Sequence, residues 1–497
     1  MKKNILNILV FIVYVLITLF AVLHHEIWAD EAQVWQLCRH LSLTELFQHL
    51  HNEGHPPLTY LMMMPFAKMT DNIIVMQLFC WTFMALASFV LLFFSPFKNI
   101  TKYAILLSAG FIYFLPVIAR SYALIPFFVF MAALLYSKQK QHPILYASVL
   151  AIIANTHIIM FCFVFLLFVD FILKNKKELE RKAFYTSFGV CAFSLLVVVL
   201  QLWDTTSSNS CISFSFESLP SKIVKVLSFF FLNAYNLDIT FYKRLMVPLI
   251  DIPLLLGFIT IYFLCFKSLF LNNKKLFFIT ILSVAFQWFI YIFTYSANTY
   301  PTRIFTAHVI LLFSMWVLLC SDNLNEKFKI CSKQSINILL SVFFLLTSYN
   351  GINYWIKEAN MDYSGAKKAS EFLVKNIEQD AIVLTSNEPF TISMQYYIEK
   401  QNIQIISAIR RTPLKYVIWD ETTVPSLSAD GWIEAAMFYS LMFKTNNIYV
   451  IKPITEYQRV HTDLSKDYFD LVYASEKTIE GKEEYRIFKL KQAFYKK

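Results

Sequence analysis

Apolar runs of roughly 20 residues, the length that carries a helix across hydrocarbon, recur through the first 350 or so positions of this 497-residue chain and then stop. Ile5 to Leu23, Ile73 to Phe94, Ala183 to Leu202, Met246 to Phe266, Leu276 to Tyr295, Ile304 to Cys320 and Ile336 to Tyr349 each read as one span. Two tracts, Tyr103 to Tyr136 and Ile144 to Leu173, are too long for one span. They are broken by Arg120 and by Asn155, Thr156 and His157, so each predicts two helices joined by a tight turn. Eleven spans result. With 57% hydrophobic residues, 50 Phe and only 8 Gly, a disordered, collagenous or disulfide-framework chain is excluded. No small-x-small pair follows Leu23, so the first run is expected to remain as an anchor.

Basic residues test the orientation, because Lys and Arg accumulate on the cytoplasmic side. Walking through the spans from a cytoplasmic N-terminus places 17 of the 25 Lys and Arg before residue 357 in the inside loops. The bias supports that topology for a multi-pass protein. Richness in Lys, Asn, Ile and Phe suggests an AT-rich coding bias and hence a bacterial inner (plasma) membrane. Ile223 to Tyr235, about 13 apolar-rich residues, is placed flat on the outer surface as an amphipathic helix, since as a span it would invert every later loop and spoil the charge bias; that inverted alternative stays open.

From Lys357 the composition changes. Residues 357–497 carry 19 Lys plus Arg against 19 Asp plus Glu, so the formal +10 charge belongs to the membrane half and marks no nucleic-acid partner. Helix-like stretches (Ser364 to Asn376, Phe390 to Glu399, Trp432 to Phe443) alternate with short apolar strands (Ala381 to Leu384, Ile403 to Ile406, Tyr416 to Trp419, Ile448 to Ile451, Phe469 to Tyr473, Tyr485 to Leu490). That pattern predicts a soluble α/β domain, extracytoplasmic if the spans number eleven. Its only glycines, Gly365, Gly431 and Gly481, cannot write a phosphate loop or a dinucleotide fingerprint. The domain is expected to shape or dock a substrate. Cys38 and Cys211 alone share the outer side, and no bridge is assigned to them.

Ionisable groups are costly in hydrocarbon, about 2.5 to 3.5 kcal/mol each, so their positions report pairing or function. Asp30, Glu31, His55, Arg120, His157, Asp251 and Arg303 all fall at or near the outer ends of spans. In the outer loop 24–72, Asp30 with Gln33 and Ser42 with Glu45 both have the spacing of a capping box. Asp30 thus reads equally as a helix cap and as a reactive carboxylate. His55 stands before Pro56 and Pro57 on a stiff corner. Six of the ten histidines share this loop, but their spacing fits no defined metal site. A divalent cation is conceivable chemically and is not favoured, and no metal ligand is assigned. Arg120, Arg303 and His157 occupy equivalent outer junctions, where a guanidinium suits phosphate through paired donors.

These residues resemble those of the C-type glycosyltransferases (GT-C fold), polytopic membrane enzymes that include the protein O-mannosyltransferases and the bacterial aminoarabinose transferase of lipid A. The likeness rests on the acidic pair Asp30, Glu31, on His55, Pro56, Pro57, Leu58, on Arg120, Ser121, Tyr122, on Thr156, His157, and on Arg303 with the outward C-terminal domain. It implies an inverting transfer of a sugar from a polyprenyl-phosphate donor to a glycan, lipid or protein acceptor at the outer face. Asp30 would then be the general base, and Glu31 its support or an acceptor-orienting group. Arg120 and Arg303, with His157, would neutralise the departing phosphate, and Tyr122, His55 and Asp251 would make weaker substrate contacts. Which acidic residue moves the proton stays open.

Other readings share the same substrate chemistry. A lipid-linked sugar flippase would hold its substrate near the midplane on broken helices, whereas here the midplane is apolar. A glycan polymerase or ligase is separated poorly by the sequence.

Overall fold

The computed structural model describes residues 2–203, 219–228, 247–294, 300–321, 332–378, 380–401, 403–420, 427–454, 464–491 and 493–494. The chain is a polytopic α-helical membrane protein with a C-terminal α/β domain. Among the described residues, eight helices are long and apolar enough to cross a bilayer: α1 (Lys2–His24), α5 (Ile74–Phe94), α10 (Phe161–Asn175, continuing the turn from Ile158), α11 (Arg181–Leu202), α13 (Val247–Asn272), α14 (Lys274–Phe293), α15 (Pro301–Leu319) and α16 (Lys333–Asn360). A bent pair, α6 (Asn99–Leu107) with the segment Gly110–Val117 that ends in α7 (Leu115–Val117), and two shorter apolar helices, α8 (Ile125–Tyr136) and α9 (Pro143–Ala154), occupy the remaining span positions. α16 runs on to Asn360, past the change of composition at Lys357. α12 (Leu219–Ser228) covers only the start of the expected surface helix, and residues 229–246 lie outside those described.

The bend after α6 has a packing cause. Residues Gly110–Phe114 form a π-turn at a 59° break, where one extra residue per turn frees carbonyls and redirects the axis. Gly351 of α16 crosses there so closely that an added Cβ would lie 2.4 Å from Ile112 Cγ2 and 2.6 Å from Ala109 Cα. Small residues at a crossing let membrane helices approach this way. At one end of the bundle Asp170 of α10 binds Lys174 at 2.9 Å, Lys275 of α14 and the Tyr136 hydroxyl of α8, which ties three helices with one carboxylate.

At the other end, the head, three short helices fill the first long loop: α2 (Ala29–His40), α3 (Leu43–Glu53) and α4 (Leu58–Met69). Ser42 and Glu45 cap α3 reciprocally, as their spacing predicts. Gly54 closes α3 at φ 65°, a left-handed position suited to glycine. The expected cap of α2 moves by two residues: Trp28 is the N-cap, Asp30 lies inside the first turn, and Glu31 reaches back to the Trp28 amide.

The C-terminal domain adds α17 (Ala366–Asn376), β1 (Ile382–Thr385), α18 (Glu388–Ile398), β2 (Ile405–Ser407), α19 (Ala429–Phe443), β3 (Ile448–Ile454), β4 (Phe469–Ala474) and β5 (Glu484–Leu490). The sheet order is β2-β1-β3-β5-β4, parallel among the first three strands and antiparallel where β5 joins β3 and β4. Strand side chains alternate between faces. Val383, Ile405, Ile451 and Ile487 point toward α17 and α18 and belong to the same apolar core as the spans. Leu384, Val450 and Phe488 form a separate core under α19. One sheet face is therefore continuous with the membrane bundle.

Tyr416 to Trp419 is not a strand. The Val417 amide donates to Gln33 Oε1 at 2.8 Å and its carbonyl accepts from Gln33 Nε2 at 2.9 Å, so one side-chain amide of α2 replaces a ladder partner. The tail grips α2 along one stripe. Glu483 binds the Ala29 amide, Val417 binds Gln33, and Glu399 binds Gln36 and His40. Those positions are spaced four, three and four residues apart, which is one helical face.

Candidate active site

Four chain segments converge at the head: the first turn of α2, the turn 118–120, the turn 155–157 and the first turn of α15. Asp30 faces the turn at Arg120, with Oδ2 2.6 Å from Nη1. The Asp30 side chain keeps 35% of its exposure and Arg120 only 9%, so the ion pair sits at the rim of the bundle with its carboxylate toward solvent. The Arg120 backbone is extended at the break between two helical segments, which turns its side chain across the head instead of along a helix.

A second polar group lies behind the first. Arg303 donates from Nε to the Tyr122 hydroxyl at 2.9 Å, and His157 Nε2 meets the same oxygen at 2.9 Å. His157 Nδ1 accepts from the Ile159 amide, so the proton resides on Nε2 and is donated to Tyr122. With both lone pairs engaged, the phenol retains its own hydrogen as a donor. Burial and the nearby His55, Arg303 and Arg120 hold His157 well below the usual imidazole range. Its hydrogen bonds to the Ile159 amide and to Tyr122 fit a neutral ring beside that phenol.

His55 packs edge-on against His157 with ring centroids 5.1 Å apart. Its Nδ1 donates to the Glu53 carbonyl at 2.6 Å, which leaves Nε2 as an unpaired acceptor. Burial and Arg120 push its pKa down to about 4. Nε2 and the equally unpartnered Thr59 hydroxyl belong to residues lining a cavity of about 10 Å³ beside Arg120, Tyr60 and Thr156, a volume that suits one water. Asp251 belongs to α13, and its side chain lies outside the described residues.

Glu31 turns away from Asp30. Fully buried, it accepts from the Ala119 amide and from Trp28, and pairs with His25 Nε2 at 3.1 Å. His25 Nδ1 lies 3.1 Å from Glu358 of α16, whose other oxygen takes the Tyr113 hydroxyl. Burial alone would lower His25, but the two carboxylates outweigh it and raise its pKa to about 10. The acidic pair thus divides. Asp30 faces the arginine, and Glu31, fully buried, joins α2, the 118–120 turn and, through His25 and Glu358, α16.

Two further carboxylates come from the C-terminal domain and were not anticipated. Glu483, buried, accepts from the Ala29 amide at 2.6 Å and from Ser364 at 2.6 Å, which supplies the helix cap that α2 lacks locally. Burial pushes its pKa up to about 8. Glu480 is half-buried beside the hydroxyls of Tyr300 and Tyr363. Trp28, Tyr300 and Tyr363 cluster with Ile118 and Ile479 around it. No residue of this stretch, Glu480 to Glu484, is singled out by the sequence as part of a site. Gly481 turns the chain there at φ 67°.

Among the described residues, no group of three or more His, Cys, Asp or Glu side chains is arranged to hold a metal ion. Cys38 is free and buried, and Cys211 lies outside the described residues.

No family model matches the sequence, and no curated protein matches it. Among solved structures, the chain is similar to a crystal structure of ArnT from Cupriavidus metallidurans bound to undecaprenyl phosphate. The identity is 8% and the TM-score 0.47, with 99% of each chain covered. It is also similar to the apo state of the same protein at 9% identity and TM-score 0.48, covering both chains in full. Likeness of this degree assigns no role to any residue here.

Proposed function

We propose that the chain is an inverting glycosyltransferase that moves a sugar from a polyprenyl-phosphate donor to a hydroxyl or amine acceptor at the extracytoplasmic face. The observation that carries this reading is the Asp30–Arg120 pair, 2.6 Å apart at a solvent-reachable rim, with Tyr122 and Arg303 beyond it. A carboxylate that serves as a base beside donors that stabilise an anion is the pairing such a displacement needs. The donor class comes from the resemblance carried by Asp30, His55 to Leu58, Arg120 to Tyr122 and Thr156 to His157.

In this mechanism Asp30 takes the acceptor proton as the acceptor atom bonds to the anomeric carbon. The bond from that carbon to the phosphate oxygen breaks, and the phosphate leaves with the electron pair. Arg120, Arg303 and the free hydrogen of Tyr122 meet the growing negative charge. Asp30 is released from Arg120 as the phosphate takes over the guanidinium, which leaves the carboxylate free to act as a base. Of the two acidic residues Asp30 is the base in this scheme, because Glu31 is enclosed and committed to His25.

The test is turnover of a polyprenyl-phosphate sugar by purified protein. Asp30→Asn is expected to lower turnover by about 100-fold or more while the protein stays folded. Turnover near the wild-type level would remove Asp30 from the reaction. Movement of lipid-linked sugar across vesicles without an acceptor would favour a flippase instead.

A further inference from the structure

We propose that the C-terminal domain supplies half of the substrate site: Glu480, with Trp28, Tyr300 and Tyr363, forms a subsite for the hydroxyls of a carbohydrate acceptor, beside Asp30. The proposal rests on the transfer reaction above and names the acceptor side of the same site.

Glu480 is held in place by its backbone. Its amide donates to the Tyr363 carbonyl at 3.1 Å, the Ile479 amide donates to Asp362 at 3.1 Å, and the Glu483 carbonyl accepts from Gly365 at 2.8 Å. The strap between β4 and β5 is therefore bolted to the connection after α16, and Glu483 fastens it to α2 as well. A carboxylate placed this firmly, and still half-buried rather than enclosed, lines the head of the bundle.

The groups around it are incompletely satisfied. The Tyr300 and Tyr363 hydroxyls reach Glu480 at only 3.4 and 3.5 Å, long for a hydroxyl on a carboxylate. The Trp28 indole N–H is buried with no acceptor among the described residues, a state that native interiors rarely leave unexplained. Its ring lies 5.3 Å from Tyr300 and 6.3 Å from Tyr363. An unpaired donor, a carboxylate with spare acceptor capacity and aromatic faces complement a sugar, which offers hydroxyls of both kinds and an apolar ring face.

Tyr300 stands where the two halves meet, with the Arg303 guanidinium over its ring at 5.7 Å and Glu480 at its hydroxyl. A phosphate is drawn to Arg120 and Arg303 and repelled by Glu480. Lys482, the cation on the same strap, is already at the Tyr300 hydroxyl at 3.3 Å. Burial, partly offset by Lys482 and reinforced by Asp30, raises Glu480 to about 7, so near neutrality it can both accept and donate to hydroxyls. Asp30 lies between the two halves, where an acceptor hydroxyl must lose its proton.

The experiment uses the full chain in a detergent without sugar head groups and two probes: a panel of methyl glycosides, read by saturation-transfer NMR, and a sugar-free polyprenyl phosphate. Glu480→Gln, nearly isosteric, is expected to weaken glycoside binding about tenfold, the scale of one hydrogen bond to a charged group, and to leave polyprenyl-phosphate binding within about twofold. Tyr363→Phe, which removes a single hydroxyl, should move the same readout in the same direction. Glycoside binding unchanged in both variants, or absent from the wild type, overturns the proposal. So does an equal loss of both probes, which would assign Glu480 to folding. Arg120→Ala acts on the other half: undiminished polyprenyl-phosphate binding there would sink the transfer reading while the glycoside result stood by itself.

Discussion

Gln33 holds Val417 by both of its backbone groups, donating to the carbonyl at 2.9 Å and accepting from the amide at 2.8 Å. The contact joins residues 384 positions apart and lies three residues beyond Asp30 on α2. Gln33→Leu keeps the volume and removes both bonds. Each buried backbone group left unpaired costs about 1–3 kcal/mol, so faster proteolysis near residues 415–420 and a lower melting temperature are expected. Equal proteolysis rates in mutant and wild type would show that the contact contributes nothing.

Asp30 and Glu31 should separate cleanly in stability measurements. Glu31→Gln leaves the His25 imidazolium facing one carboxylate instead of two, and removing one partner of a buried pair costs about 3–5 kcal/mol. Asp30→Asn breaks a rim pair, worth about 0–1 kcal/mol. Thermal unfolding in detergent should therefore place Glu31→Gln far below Asp30→Asn. The opposite order would reverse the division of roles described for the pair.

Alkaline pH should loosen the seat of the C-terminal domain. Glu483 is raised to about 8 and Glu480 to about 7 from 4.5. His25 is raised to about 10 from 6.5. A pKa raised in the folded state contributes stability that is fully present below the unfolded value and lost as pH climbs through the folded value. Glu483→Gln retains an acceptor for Ala29 and cannot ionise. Its melting temperature should accordingly gain on the wild type between about pH 4.5 and 8. Parallel curves over that range would mean that Glu483 does not titrate there.

Gly351→Ala tests the crossing of α16 over the π-turn. The added methyl would meet Ala109 Cα, a backbone atom that cannot swing aside. Overpacking of this kind costs about 1–3 kcal/mol, which should appear as a lower unfolding temperature. Gly257, with nothing within 4 Å of an added Cβ, is the control and should tolerate alanine.

The membrane half was readable because hydrocarbon permits few solutions: a run of about 20 apolar residues is a span, and a charge between two runs is a turn. Arg120 and His157 marked their turns for that reason. Asp30 and Arg120 could both be placed at the outer ends of spans, but which carboxylate meets which cation could not be read. The charge on His157 could not be read, because neutrality follows from burial against His55 and two guanidinium groups. Nor could the cap of α2 be read. Asp30 and Gln33 have the spacing of a local box, but Glu31 and the distant Glu483 take that work, so Gln33 is free to bind Val417. Tyr416 to Trp419 has a strand's composition, and composition cannot tell a ladder partner from a side-chain amide.

Glu483 is synthesised 454 residues after the Ala29 amide it caps. While the chain emerges, the helix bearing Asp30 lacks its terminal acceptor, and the grips of Glu399 and Val417 arrive only shortly before. Premature termination between the end of α16 and Glu483 would leave the spans complete but Asp30 on a helix without that cap. In the proposed mechanism such shortened products would hold Asp30 loosely, so the head is finished in the order in which the polypeptide is made.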